Sequence, residues 1–184
     1  LAVTAHDLQG MSGGRFVLGL GSQIKAHIER RYSMPWSQPA KRMREFVIAL
    51  RAIWEAWETQ APLTFEGEFY RHSLMTPMFS PRPHGLGPPK IFLAGVGPRM
   101  TEVAGEVADG FICHGFSSER YFREHTLPAL QRGCERAGRT IADLEIVAPG
   151  FVVTGVDDES IEAATAATVT GPSPPRRWRT SSSN

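Results

Sequence analysis

The sequence contains little of what marks disulfide-rich, metal-binding or membrane proteins. Its 184 residues include only two cysteines, Cys113 and Cys134. They have neither CxxC spacing nor paired histidines, which argues against a disulfide framework, a redox pair and a zinc site. No segment approaches the ~18 consecutive apolar residues that a membrane helix needs, and the first residues lack the basic and apolar segments of a signal peptide. We therefore expect reduced thiols and a cytoplasmic protein.

The chain also lacks an excess of charge of either sign. Twenty basic residues against nineteen acidic ones leave a formal charge of +1, which argues against nucleic acid or an anionic membrane as a partner. Hydrophobic residues make up 41% of the chain, so we expect a globular domain over residues 1–168. Residues 169–184 change abruptly to Pro, Arg and Ser without periodicity. We predict that this tail is disordered, and its composition fits out-of-frame translation.

Apolar segments alternate with amphipathic ones along the chain. The buried strands that this pattern predicts are Phe16–Leu20 and Lys90–Ala94. Phe111–Cys113 is predicted as a third strand and Leu144–Thr154 as a fourth, which is broken by Pro149 and Gly150. The predicted helices are Pro39–Trp57, Pro98–Val107, a helix from Ser117 or Ser118 to Ala137 with a kink at Pro128, and one from Asp157 or Asp158 to Ala167. A small hairpin or an extended excursion is predicted over Leu63–Tyr70. Strict alternation indicates parallel strands covered by helices, in either an open doubly wound sheet or a closed barrel.

Glycine-bearing turns follow the first two predicted strands. A Rossmann turn needs a third small residue, and these turns carry Ile24 and Met100 there instead, which argues against a nicotinamide site. In the second turn, Gly97 lets backbone amides approach an anion, Pro98 begins a helix and Arg99 adds a charge. This combination is a competent phosphate site, although a plain strand-to-helix turn with a solvated arginine fits the spacing equally well.

Longer segments of the chain resemble a known family. The segments GRFVLGLGSQIKAHIERRY, RMREFVIALRAIW, FEGEFY and PPKIFLAGVGPRMTEVAGEVADGF occur in the order seen in luciferase-like oxidoreductases that use a flavin or the deazaflavin coenzyme F-420. The most specific parts, Leu18–Tyr32 and Ile91–Gly110, resemble the F-420 branch more than the FMN monooxygenases. The resemblance covers about residues 1–165 and implies an α/β fold: a partial (β/α)8 TIM-like barrel of four βα units, similar to the family's strands four to seven. We therefore expect the C-terminal half of such a barrel.

The same resemblance implies a cofactor site at the carboxyl ends of the strands. The residues that it assigns to this site are Gly21, Ser22, Gln23, Ala94, Val96, Gly97, Pro98, Arg99 and Met100. Related F-420 dehydrogenases have a catalytic glutamate at about the position of Ser22, and serine cannot shuttle a proton in that way. The catalytic candidates are His114, at the end of a strand, and His27, in a loop. The alternative for His114 is a buried histidine bonded to backbone, and the alternative for His27 is a surface or packing residue. No metal ligands are predicted.

Three functions remain open on the sequence. The first is an oxidoreductase that transfers a hydride between F-420 and an organic substrate, and the second is an FMN-dependent monooxygenase of the same fold. The third is a non-catalytic fragment produced by truncation. The resemblance further implies a small-molecule substrate and a homodimer for the full-length family, with no nucleic-acid or membrane partner. Cofactor preference separates the first two functions, and the third predicts that neither cofactor binds.

Overall fold

The computed structural model describes residues 1–149 and 153–170. The chain divides after Pro149 into two compact units, each described by itself below. The predicted single domain over residues 1–168 stays a prediction. Most of the predicted tail, residues 171–184, lies outside the described residues.

The first unit contains short strands and longer helices in alternation. Its strands are β1 (Val17–Leu20), β2 (Phe65–Glu66), β3 (Arg71–His72), β4 (Lys90–Ala94), β5 (Gly110–Ile112) and β6 (Glu145–Val147). Its helices are α1 (Ala2–Met11), α2 (Lys25–Arg30), α3 (Pro39–Thr59), α4 (Pro98–Val107), α5 (Glu119–Tyr121) and α6 (Leu127–Arg136), with a π-helical turn at Phe122–Thr126 and 3-10 turns at Pro77–Phe79 and Ile141–Asp143.

Four of the strands form one parallel sheet. Their spatial order is β1-β4-β5-β6, which is also their order along the chain, and the ribbon of β2 and β3 lies between β1 and β4 in sequence. Leu18 pairs with Ile91, Leu93 with Phe111, and Phe111 with Ile146. A sheet that never reverses its strand order is the arrangement of a TIM-like barrel, whereas a doubly wound sheet reverses at a switch point. The structure thus confirms the predicted α/β fold, a partial barrel of four strands.

The core lies between this sheet and its helices. On β4, Ile91 and Leu93 are fully buried on the face that packs against the helices. Helix α3 follows the predicted periodicity and buries Val47, Leu50 and Trp54 against the sheet. The indole nitrogen of Trp54 also donates a hydrogen bond to the carbonyl of Ala2 (3.1 Å), which ties α1 to α3. Trp54 therefore has the packing role that its position predicts.

Helices α4 and α6 approach each other closely through two glycines. A Cβ atom on Gly133 would lie 2.0 Å from the carbonyl oxygen of Glu102, and one on Gly105 would lie 2.2 Å from the carbonyl oxygen of Leu130. Neither glycine has a left-handed backbone, so the requirement comes from the distance between the helices. This contact fixes α4, and with it the turn that precedes α4.

The helical segment after β5 begins and ends at the residues that the sequence predicts. Ser118 caps α5, and its hydroxyl accepts the backbone N–H of Tyr121 (3.1 Å). The predicted kink is a π-helical turn at Phe122–Thr126, directly before Pro128, whose missing N–H breaks the α-helical bonding pattern. Gly138 ends the helix with a left-handed φ of 67°.

The predicted strand Leu144–Thr154 is wrong in its length, since β6 contains only Glu145–Val147, and all three of these residues are exposed. Pro149, which has no N–H to donate to a ladder, stops the pairing early. Of the remaining residues, 150–152 lie outside the described part, and Val153 and Thr154 are not in a strand. The other predicted strands shift by one residue at most, and the hairpin pairs β2 with β3 as an antiparallel ribbon.

The second unit contains helix α7 (Asp158–Thr170). Its start is capped by Asp157, whose carboxylate accepts the backbone N–H of Ser160 (2.9 Å), as the sequence predicts. The helix extends beyond the predicted end at Ala167 into the first two positions of the predicted tail. Over residues 1–149 and 153–170, no helix combines the length and apolar character that crossing a bilayer requires.

Candidate functional site

A cleft of about 1370 Å³ opens at the carboxyl ends of β1, β4 and β5. All nine residues that the sequence assigns to a cofactor site line this cleft: Gly21, Ser22, Gln23, Ala94, Val96, Gly97, Pro98, Arg99 and Met100. They come from two turns separated by about seventy residues in sequence, which the parallel pairing of β1 with β4 brings together. The fold therefore gathers the predicted residues into one concave site.

Packing requires glycine at one position of the turn after β4, Gly95, but not at the other, Gly97. A Cβ atom on Gly95 would lie 2.8 Å from the Met100 side chain, so packing alone requires glycine there. A Cβ atom on Gly97 would meet nothing within 4 Å, and the φ of Gly97 is −80°. The fold therefore does not need a glycine at position 97, and this open space is available to a ligand.

The start of α4 presents hydrogen-bond donors to the same space. Gly97 is the N-cap, and the first helical bond runs from the Thr101 N–H to the Gly97 carbonyl (3.1 Å). The N–H groups of Arg99 and Met100 precede that bond and have no carbonyl partner within the helix. Together with the helix dipole, they favour an anion beside Gly97.

Arg99 is the cleft cation that is not engaged with an acidic side chain in the described part of the chain. The other four lining cations each contact a carboxylate: Lys25 with Glu29, Lys41 with Glu68, Arg44 with Glu106, and Arg136 with Glu102. Arg99 is also exposed, so its guanidinium is accessible to a ligand. Its charge adds to the donors of the α4 N-terminus.

The two candidate histidines occupy different places. His114 lines the cleft, is exposed, and its Nδ1 accepts the backbone N–H of Phe116 (3.3 Å). A neutral imidazole that accepts at Nδ1 carries its proton on Nε2. His27 lies on α2, is exposed, and does not line the cleft. The structure thus brings His114, and not His27, to the predicted cofactor residues.

The loop after β1 forms one wall of the cleft. Gln23 and Gln38 both line it with left-handed φ angles, 59° and 40°, which are uncommon for residues other than glycine. Backbone strain of this kind is often found at ligand sites. Trp36, to which the sequence gives only a packing role, also lines the cleft and is half-buried. The loop Ser33–Gln38 has no periodicity that could have indicated this position.

Two further titratable groups of the cleft, Glu102 and Cys113, are held in fixed protonation states. Glu102 lies between Arg132 (3.0 Å) and Arg136 (2.5 Å). Hydrogen bonding to Arg136 is the largest cause that lowers the pKa of Glu102, so this carboxylate stays ionised. Cys113 is buried, and desolvation raises the pKa of its thiol, which keeps it protonated and poorly nucleophilic. Cys113 and Cys134 are both free and buried.

Glu45 connects the hairpin to the helix that borders the cleft. Its carboxylate accepts the backbone N–H groups of Glu68 (2.9 Å), Phe69 (2.7 Å) and Tyr70 (2.7 Å). Arg42, one turn earlier on α3, lies over the Phe69 ring at 4.4 Å. Sequence reasoning missed this contact, because nothing near Glu45 indicates that its carboxylate accepts hydrogen bonds from a turn more than twenty residues away.

The pKa of Glu45 leads to a prediction for acid conditions. Desolvation alone would raise this pKa, but the three backbone donors and Lys41 outweigh it and lower the pKa below the usual 4.5. The stabilisation is therefore present above pH 4.5 and is lost as the pH falls through the lower folded-state pKa. We expect the amide proton shifts of Phe69 and Tyr70 to titrate with a midpoint below 4.5. Glu45→Gln should abolish this titration and Glu58→Gln should leave it intact; a midpoint at or above 4.5 would contradict the contact.

The chain matches the family model described as luciferase-like monooxygenase over residues 1–181. An uncharacterised protein of Mycobacterium tuberculosis is 54% identical over 168 residues, which are 91% of this chain and 49% of that protein. The F-420-dependent glucose-6-phosphate dehydrogenase of Nakamurella multipartita is 33% identical over 145 residues, which are 79% of this chain and 41% of that enzyme. The chain thus spans about half the length of the curated relatives it matches.

Solved structures show the same fold at lower sequence identity. The coenzyme F-420-dependent tetrahydromethanopterin reductase from Methanopyrus kandleri has a TM-score of 0.66 at 21% identity, covering 94% of this chain and 52% of that one. The EDTA monooxygenase from Chelativorans sp. has a TM-score of 0.70 at 18% identity, covering 94% of this chain and 44% of that one. These likenesses agree with the observed partial barrel, and the family match covers nearly the whole chain. The chain belongs to the luciferase-like monooxygenase family.

Proposed function

We propose that this chain carries the cofactor-binding part of an F-420-dependent oxidoreductase, in which a hydride passes between the deazaflavin and an organic substrate. The observation that carries the proposal is the anion site at the start of α4. It combines the open space beside Gly97, the N–H groups of Arg99 and Met100, and the Arg99 guanidinium, which makes no ion pair with any residue that the structure describes. The sequence relatives with a named activity that support this choice are F-420-dependent dehydrogenases.

The residues present fit the phosphate of such a cofactor. A phosphate beside Gly97 would receive backbone donors from the first turn of α4 and a charge-assisted hydrogen bond from Arg99. Met100 would act through its N–H, because its side chain is buried against Gly95. On the other side of the cleft, Gly21 and Ser22 would face the ring system. A Cβ on Gly21 would make only ordinary contact with Ala94 at 3.8 Å, so packing does not require a glycine at this position.

The bound deazaflavin would supply the carbon that accepts or donates the hydride. The protein would orient both reactants and handle the accompanying proton. Within the described part of the cleft, Glu102 and Glu106 are paired with arginines and the Cys113 thiol stays protonated. His114 is therefore the candidate to hold a proton, at Nε2, in place of the glutamate that related dehydrogenases carry near Ser22.

A titration with both cofactors tests this proposal. The full chain is titrated with F-420 and separately with FMN, while cofactor fluorescence is followed. We expect saturable F-420 binding with a Kd at least about tenfold lower than that for FMN. Tighter FMN binding would place the chain with the FMN-dependent monooxygenases. Binding of neither cofactor would contradict the proposed function and favour a non-catalytic fragment.

A further inference from the structure

The mouth of the cleft presents apolar side chains to solvent. Ile24 is 60% exposed and Val96 is 58% exposed, and both line the cleft. Trp36 and Ile112, both half-buried, add to the same lining. Phe116, 80% exposed, extends this surface beyond His114, whose ring it contacts at 5.5 Å between centroids. Apolar groups gathered in a concave site are the usual lining for a small organic ligand.

The loop after β1 holds Ile24 at this position. Gln23, with its left-handed φ of 59°, reverses the chain just before Ile24. The Gln23 side chain then accepts the Ile24 backbone N–H through Oε1 (3.2 Å), which fixes the local turn. Ile24 precedes α2 in an extended conformation. The loop therefore holds Ile24 at the mouth of the cleft.

The charges of the cleft limit what this apolar mouth can accept. Four of the five lining cations are already engaged with carboxylates, and the fifth, Arg99, lies beside the proposed cofactor phosphate. A phosphorylated substrate would need a second set of donors, because burying an unpaired anion is costly. The described lining offers no second cation that is free of an acidic partner.

We infer that the substrate is a neutral organic molecule and not a sugar phosphate. Its apolar body lies across Ile24 and Trp36. This inference rests on the proposed function, since the substrate must lie beside the cofactor. It gives this chain a different substrate class from that in the name of the Nakamurella relative, a glucose-6-phosphate dehydrogenase.

A homologous series of neutral ketones tests the inference. The full chain is saturated with F-420 and then titrated with 2-alkanones from butanone to nonanone, while tryptophan fluorescence is followed. If the ketone chain lies on the apolar mouth, the Kd should fall about fourfold for each added methylene until the surface is covered. Glucose 6-phosphate, titrated in the same way, should bind more weakly than nonanone.

Two variants separate this inference from the proposed function. Ile24→Asp should raise the Kd for nonanone by at least about tenfold and leave F-420 binding intact. Leu74→Asp, a matched change at a site that is 81% exposed and does not line the cleft, should alter neither. A Kd that does not change along the series, or tighter binding of glucose 6-phosphate, would overturn the inference while F-420 still binds. Loss of F-420 binding by the unmodified chain would instead overturn the proposed function.

Discussion

Gly133→Ala is expected to lower the free energy of unfolding by roughly 1–3 kcal/mol, or more if the helices cannot separate. The added methyl group would lie 2.0 Å from the Glu102 carbonyl and 3.0 Å from the Glu106 backbone nitrogen. Both neighbours are backbone atoms of α4, so no side-chain rotation relieves the clash. The gain in helix propensity from Gly to Ala, up to about 1 kcal/mol, opposes this cost but does not cancel it.

Urea unfolding monitored by circular dichroism measures this effect. Gly97→Ala is the matched control, because its Cβ would meet nothing within 4 Å and its φ of −80° suits alanine. Because alanine is a poorer N-cap than glycine, we expect Gly97→Ala to lower the free energy of unfolding by less than about 1 kcal/mol. Equal midpoints for Gly133→Ala and Gly97→Ala would show that α4 and α6 are not in close contact.

Arg99→Glu is expected to raise the Kd for F-420 by at least about a hundredfold. A charge-assisted hydrogen bond contributes about 1.5–3 kcal/mol, and the substitution also places a carboxylate beside the cofactor phosphate. Because the Arg99 side chain is exposed and makes no ion pair in the described part of the chain, the fold should not lose stability. The affinity loss should therefore appear without a change in the unfolding curve.

Lys25→Glu provides the matched control for Arg99→Glu. Lys25 also lines the cleft and carries the same charge, but it lies on α2, is exposed and pairs with Glu29 at 3.8 Å. We expect this variant to weaken F-420 binding by less than about tenfold, through the loss of long-range attraction alone. An equal loss for both variants would show that general charge, and not the α4 anion site, holds the cofactor.

The sequence predicts the sheet and its turns because each depends on local pattern. The run Lys90–Ala94 is continuous and apolar, and β4 has these same bounds. The spacing of apolar residues in Pro39–Trp57 yields α3, which ends two residues later. Parallel pairing then places Gly21 and Gly97 in one cleft without any further information.

What the sequence does not predict depends on contacts between distant residues. Glu45 holds a turn more than twenty positions away, and no local pattern marks it. Trp36 lines the cleft because the left-handed residues around it redirect the loop, and Ser33 and Gln38 do not signal that geometry. The close approach of α4 and α6 depends on which helix faces Gly133, which a single sequence does not reveal.

For His114, the sequence predicts the position of the residue but not the exposure of its ring. A buried histidine bonded to backbone was one open interpretation, and the structure instead shows an exposed ring that accepts a backbone N–H at Nδ1. The position at the end of β5 was predictable from the strand pattern. The exposure was not, because it depends on the turn His114–Ser117, in which the Ser117 N–H bonds the His114 carbonyl (2.9 Å).

The most direct test of the F-420 site is a ¹H–¹⁵N correlation spectrum of the full chain, recorded during titration with F-420. We expect the largest amide shifts at Gly97, Arg99 and Met100, with smaller ones at Gly21 and Ser22. The amides near His6 and Glu55, which line a separate cavity of about 310 Å³, should not move. Shifts confined to that second cavity, or saturating F-420 with no shift at Gly97, would contradict the assignment of the cofactor phosphate to the α4 N-terminus.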